Sequence, residues 1–441
     1  MIDDVTLFKI GTELSELKYN GFWDWFVHVS DIRIHWRNEP TYILSQAAFI
    51  LGGTLTLLHA IINKGRFPWL WLGAILHGIL IENITYVHPD VDNFWHSQTP
   101  IIFAGRRLPL HIIILYPCFI YQAQVAAAKL NLPKWSEPFL VGLLAVLIDI
   151  PYDIVSVRYM HWTWHDTDPN IFDRHYWVPW NSYFFHATFA AGFIFWFHYL
   201  REKICSTEGK WIADKSFIKE FFCTFLAVLL GSPTGVLAFI AIYHPLHDIC
   251  TIHSEVTFFI IFVTFALISW TGDRLAILKD YGKYTTTSKL HWSSWILLLH
   301  LIVHYVTFML IPIMFNPEDE VSTGMKEPIG PCNEFVPLHT IVGLTLKKRK
   351  YLCPSDYDEG YFDFHCLPNQ KYPSDGSIWY TICGIPFKNR AEYITVIGLI
   401  TLAAAGIFIN LYFNSFGDCV FQKKVNTNNE NEKNVLKKKN K

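Results

Sequence analysis

Charge is scarce in this chain. Only 17% of its 441 residues are Asp, Glu, Lys or Arg, where a soluble domain of this length carries about 25%. With 51% hydrophobic and 17% aromatic residues and a mean hydropathy of +0.23, the shortage excludes an ordinary water-facing surface. The net charge of −2 carries little information, because the distribution of charge is what matters. No cleaved targeting leader is expected either. The first 41 residues hold Asp3, Asp4, Glu13, Glu16 and Lys18, and no apolar run begins near Met1, so the basic, acid-free start of a cleaved signal is absent. There is no Cys-x-x-Cys spacing and no convincing internal repeat. The basic residues are spread over short loops, the insert and the tail, and lend no support to nucleic-acid binding.

What the chain does have is apolar length. Nine runs reach the roughly 20 residues that span a hydrocarbon core: about 42–63, 66–87, 109–130, 136–158, 178–200, 217–242, 254–272, 290–315 and 392–414. The expected fold class is all-α, a polytopic transmembrane helix bundle of about nine spans. The expected organisation is a non-cytosolic segment 1–41, an eight-span core 42–315, a Cys-bearing insert 316–391, a ninth span 392–414 and a disordered cytosolic tail 415–441. Gly231-Ser232-Pro233-Thr234-Gly235 is expected to break the sixth run.

Orientation follows from the basic residues of short loops. If the C-terminus is cytosolic, the loops Asn63–Phe67, Lys129–Ser136, Arg201–Lys219 and Gly272–Lys289 face the cytosol, and every one is basic. The opposite loops are rich in His, Asp and Trp, and His244–His253 has neither Lys nor Arg. The tail ends Lys438-Lys439-Asn440-Lys441. That ending is similar to the dilysine retrieval signal of endoplasmic reticulum membrane proteins, with a generic basic flank as the plain alternative and the plasma membrane as the other location. Cys332, Cys353, Cys366 and Cys383 all fall in the insert, on the oxidising side. Four cysteines there imply two disulfides with three possible pairings.

The acids inside the runs are the chemical signal. Glu82, Asp149 and Asp153 lie within apolar stretches, where a charge costs roughly 2.5–3.5 kcal/mol on insertion scales. Asp149 and Asp153 are four residues apart and so share a helix face. This orientation puts them at one depth with Glu82, His111, Asn181, His186, His244, His247, His300 and His304. His59, His77 and His198 fall at the centre or the cytosolic side. The loop between runs four and five adds His161, Trp162, Trp164, His165, Asp168, His175, Trp177 and Trp180.

Two chemistries fit. Two carboxyls one turn apart in a low dielectric repel when both are ionised, so the pair is expected to keep a proton and act as acid beside base. Glu82, Asp149 and Asp153 are the candidate catalytic groups. Trp162, Trp164, Asp168, Trp180, Asn181 and His186 are the candidate substrate contacts. On this reading no cofactor is needed. The alternative is zinc on His161, His165, His244 and His247, though neither pair has an established zinc spacing. The plain alternatives are a structural polar network for the acids, hydrogen bonds between helices for His300 and His304, and an interfacial belt for the tryptophans.

The stretch with Asp149 and Asp153, Trp162-Thr163-Trp164, Asp168-Pro169 and Val178-Pro179-Trp180-Asn181 resembles the carotenoid hydratase family of multi-pass membrane enzymes. The block from His77 to Tyr121, with Glu82, Gly105 and Pro109, is similar to that family's preceding acid-containing helix and loop. The resemblance covers roughly Gly73–His198. It departs at Trp177, where the family tends to have Gly, and in the extra histidines. The insert and the dilysine-like tail point to a eukaryotic relative. The resemblance implies acid-catalysed hydration or isomerisation of an isoprenoid or other lipid, with Glu82, Asp149 and Asp153 as proton donor and base. The alternatives from other classes are a metal-dependent intramembrane lipid hydrolase and a proton-coupled transporter.

Overall fold

A long apolar segment can satisfy its own backbone in hydrocarbon only by closing hydrogen bonds within itself. In the computed structural model all nine runs do so. The structure describes residues 11 and 13–415, apart from 88–92, 131, 165–166, 206–208, 281–289 and 358. The long helices are α1 Pro40–Asn63, α2 Phe67–Val87, α3 Leu110–Leu130, α4 Glu137–Arg158, α5 Trp180–Ile204, α6 Phe217–His244, α7 Ser254–Asp280, α8 Ser294–Met314 and α9 Arg390–Phe413. All but α5 are long and apolar enough to cross a bilayer. Helix α5 has the length, but Asn181, Ser182, His186, Thr188 and His198 dilute its apolar character. It packs between α4 and α6, and a helix so enclosed presents little surface to lipid.

The sixth run is not broken. Helix α6 is continuous through Pro233 and passes into a π turn, Pro245–Ile249. Its glycines serve close packing instead. A Cβ on Gly192 of α5 would come within 2.6 Å of the Gly231 carbonyl of α6, the close approach that small residues permit between membrane helices. Proline has its effect in α4. Pro151 deprives the Leu147 carbonyl of its usual helical donor, and the Tyr305 hydroxyl of α8 takes that place at 3.1 Å. His304 Nε2 meets the Ile148 carbonyl at 2.8 Å, and the Tyr393 hydroxyl donates to Ile154 at 3.0 Å. The aspartate-bearing turn of α4 is therefore held from outside by α8 and α9. His300 and His304 make the interhelical contacts of the plain reading, His300 to Gln122 at 3.2 Å.

The all-α expectation needs correction, because the loops on one side form small antiparallel sheets. Phe94–His96 pairs with Trp162–Trp164, and Val27–Val29 pairs with Ile101–Phe103. In the insert, Trp379–Gly384 lies between Phe362–Asp363 and Val321–Met325, and Phe335–His339 pairs with Thr345–Arg349. These residues lie outside the apolar runs and lack a helical repeat, so their backbone groups pair across strands instead. The cysteines pair as Cys332–Cys353 and Cys366–Cys383.

Together these loops, the N-terminal segment and the insert form a cap. Leu14 exchanges main-chain hydrogen bonds with Trp379 and Ile378. Arg174 pairs with Glu359 at 2.6 Å. Glu320 accepts from the Thr41 amide at 3.1 Å and from the Thr41 hydroxyl at 2.6 Å, which ties the insert to the first turn of α1. The Arg158 guanidinium, at the end of α4, donates to the Tyr361 and Ile385 carbonyls.

Candidate functional site

Beneath the cap, α2, α3, α4, α5 and α6 line a half-open cavity of about 480 Å³. Its walls are mostly apolar and aromatic, including Phe119, Tyr152, Trp162 and Trp164. The polar groups facing it include Glu82, His96, Asp153, Asn181 and His186. No lysine or arginine lines it among the described residues.

Glu82 sits near the cap-side end of α2 and is 6% exposed. Two tyrosine hydroxyls donate to its two oxygens, Tyr86 at 2.9 Å and Tyr116 at 2.8 Å. His96 Nε2 is 3.9 Å away. Tyr86 reaches it because i and i+4 share a helix face. Tyr116 comes from α3, and its approach depends on Gly78, one turn below Glu82. A Cβ there would stand 2.2 Å from the Tyr116 ring. The α3 helix then forms a π turn, Pro117–Tyr121, which carries Phe119 and Ile120 into the cavity wall. Such turns are frequent at functional sites.

Asp153 lines the cavity and accepts from the Ser182 hydroxyl of α5 at 3.0 Å. Asp149, one turn deeper, is completely buried. Among the described residues no donor group reaches either of its oxygens. Its neighbours are the Asp153 carboxyl, which can bond to it only if the pair holds a proton, and His186, whose Nε2 is 3.7 Å from Oδ1. The other end of the bundle is organised differently. Its buried Glu220 is met by Arg66 at 3.1 Å and Arg201 at 4.0 Å, and Lys210 meets Glu137.

The three acids expected from the sequence thus gather in one place, Glu82 and Asp153 on the cavity wall and Asp149 behind. Trp162, Trp164, Asn181 and His186 also line it. Asp168 and Trp180 do not. Asp168 caps its own loop through the Asn170 amide at 2.9 Å and faces Lys348 of the insert at 3.7 Å. Trp180 packs on His175 and Phe258. Asn181 donates to the Asn170 carbonyl, which pins the loop above.

Of the alternative zinc ligands, the three described, His161, His244 and His247, do not assemble. His161 is buried against Tyr42, with Nε2 2.9 Å from the Thr41 hydroxyl, and burial pushes its pKa well below the usual histidine range. His165 lies outside the described residues. His244 and His247 both turn to Asp248, at 2.6 and 2.8 Å. Sequence reasoning missed Tyr86, Tyr116, His96 and Ser182 as site residues. Tyr86 was within reach through its spacing from Glu82; the others come from separate elements. His77, assigned by sequence to the centre or beyond, also lines the cavity.

These features define a class, a polytopic membrane protein with a capped, acid-bearing cavity inside its helix bundle. The chain belongs to the family of the domain of unknown function DUF7802, whose family model matches residues 12–414. No curated protein and no solved structure matches it.

Proposed function

We propose that this protein is a membrane enzyme that modifies a lipid or isoprenoid by proton transfer, as a hydratase or isomerase does. The observation that carries this reading is the cavity itself. Its apolar walls suit a hydrocarbon chain, and three carboxyls gather at it with no lysine or arginine facing them among the described residues. A purely structural network would be expected to compensate its acids, as Arg66 compensates Glu220.

The division of labour follows from the partners. Glu82 accepts two tyrosine hydroxyls, which suits a carboxylate acting as base. The Asp149–Asp153 end delivers a proton to one carbon of a double bond. The aromatic faces of Phe119, Tyr152 and Trp162 stabilise the positive charge left on the other carbon. In hydration, water bonds to that carbon and loses its proton to Glu82. In isomerisation, Glu82 removes a proton from the neighbouring carbon instead. Solvent returns the proton to the acid end.

On this reading α5 also crosses the bilayer, which brings the spans to nine. The basic loops then face the cytosol, and the cap with its disulfides faces the lumen of the endoplasmic reticulum. Membrane lipids or a hydrophobic small molecule are the partners. Untargeted lipidomics of cells lacking the protein, rescued with wild type or with Asp153→Asn, tests the proposal. Wild type should restore a lipid that the variant does not. If wild-type protein changes no lipid, enzymatic action on lipids is ruled out for those cells. Substrate flux into proteoliposomes without chemical change would support a carrier instead.

A further inference from the structure

We propose that Asp149, Asp153 and His186 hold one divalent metal ion at the wall of the cavity. The inference rests on the cavity being the reaction site and names what supplies the proton at its acid end.

Geometry is the first argument. One ligand atom from each residue can be chosen so that all three lie within 4.8 Å of one another. An ion with nitrogen and oxygen ligands at about 2.0–2.2 Å holds them at roughly 3–4 Å separation, so small side-chain adjustments close the site. The ligands stand on two packed helices. Asp149 and Asp153 share one face of α4, and His186 projects from the second turn of α5. Ser182, one turn before His186, holds Oδ2 of Asp153 at 3.0 Å and leaves Oδ1 for the ion. Hydrogen bonds of this kind to a ligating carboxylate are a regular part of metal sites.

Charge is the second and independent argument. Asp149 is fully buried and has no donor on either oxygen, and no lysine or arginine pairs with Asp149 or Asp153 among the described residues. Buried charges are paired or coordinate metals. A divalent ion with neutral imidazole neutralises two carboxylates, whereas a single shared proton neutralises one.

The centre is also open to the cavity on one side. Asp153 and His186 face the cavity while Asp149 closes the back. Three protein ligands with one open side is the plan of a catalytic rather than a structural centre. A water in the open position would have its pKa lowered by the ion and could donate its proton into the cavity, with Glu82 as the complementary base. The carboxylate and imidazole donors suit zinc, manganese or iron(II). This centre shares no residue with the His161, His165, His244 and His247 set.

Metal analysis of the full-length protein, purified in detergent without chelators, tests this directly. Wild type should carry close to one equivalent of a divalent transition metal, or take up one equivalent of cobalt(II) with visible absorption bands of a nitrogen- and oxygen-ligated ion. Asp149→Asn and His186→Ala should each weaken cobalt binding by at least about 10–100-fold, the scale already seen when outer hydrogen bonds of a metal site are removed. His253→Ala, at an exposed surface histidine, should bind like wild type. Should a variant misfold, bound cobalt should still raise the melting temperature of the wild type and a chelator should lower it. Wild type that stays metal-free and gains no thermal stability from zinc, manganese or cobalt overturns the proposal. So does undiminished binding in a folded His186→Ala. A metal-free protein that still restores the lipid in cells would overturn the ion and leave the enzyme standing.

Discussion

The Tyr116 hydroxyl donates to Glu82 Oε1 at 2.8 Å, joining α3 to α2 at the wall of the cavity. Hydrogen bonds to charged groups contribute about 1.5–3 kcal/mol, and leaving a buried acceptor unmade costs as much. Tyr116→Phe should therefore lower thermal stability by about 1–3 kcal/mol and reduce lipid turnover, since Glu82 keeps only Tyr86. Calorimetry or a dye-based melt, with the lipid readout, checks both. An unchanged turnover rate would remove Tyr116 from the site.

Gly78 makes that hydrogen bond possible. Any Cβ at position 78 collides with the Tyr116 ring. Gly78→Val should reproduce the loss of function of Tyr116→Phe, with an added overpacking cost of about 1–3 kcal/mol. The double variant should fall short of the sum of the two single effects, because both act on one contact. A double-mutant cycle on melting free energies measures this, and strict additivity would refute the dependence.

Acid should loosen the cap. His35 lies in the helix Ile32–Asn38, is 2% exposed, and has Nε2 2.7 Å from the Ser30 hydroxyl. Burial pushes its pKa down from 6.5 to about 4. The unfolded chain binds a proton below pH 6.5 that the folded chain refuses. The stability linked to His35 is present above that pH and is lost as pH falls from 6.5 towards 4. At full loss this amounts to on the order of 3 kcal/mol. His161, lowered for the same reason, acts with the same sign. Melting temperature measured from pH 7 to pH 4 should decline across that window, and His35→Gln should flatten the decline.

The insert should depend on its disulfides. Cys332–Cys353 and Cys366–Cys383 close loops of 21 and 17 residues, each contributing about 3 kcal/mol in the chain-entropy description. Peptide mapping without reduction should recover these two pairs. A reductant should lower the melting temperature and expose the cap to protease before the helix bundle. Recovery of any other pairing would refute this arrangement.

Thr41 should act as a latch between insert and bundle. It donates to Glu320 and meets His161 at the start of α1. Thr41→Val leaves the buried Glu320 short of one donor, at a cost of about 1–3 kcal/mol. Limited proteolysis should then release fragments of 316–391 sooner than in wild type.

Much of the candidate site was legible from Asp149, Asp153 and Glu82, because a carboxyl in an apolar run is costly enough to stand out. Helix periodicity placed the two aspartates on one face, and orientation put Glu82 at their depth. Trp162, Trp164, Asn181 and His186, singled out by the sequence as well, line the same cavity. Asp168 and Trp180 were drawn in by proximity along the chain, and the fold turns both away from the cavity. Ser182 and Tyr116 had no signal of their own. A serine or tyrosine in an apolar helix acquires meaning only from what faces it.

By itself the sequence determined that the chain forms long membrane-crossing helices, where most of them begin and end within a few residues, although α7 runs eight residues past its expected end, and that three acids lie inside them. Hydrophobic length and backbone hydrogen bonding act locally, so they can be read from a linear pattern. Only the tertiary structure decided which cysteines pair, that the loops become sheets, and that α6 runs unbroken. It alone joined His186 to Asp149, Tyr116 to Glu82 and Thr41 to Glu320. Those pairs bring together residues 37, 34 and 279 positions apart. Contacts across such separations arise from how helices pack, which no local property of the chain specifies.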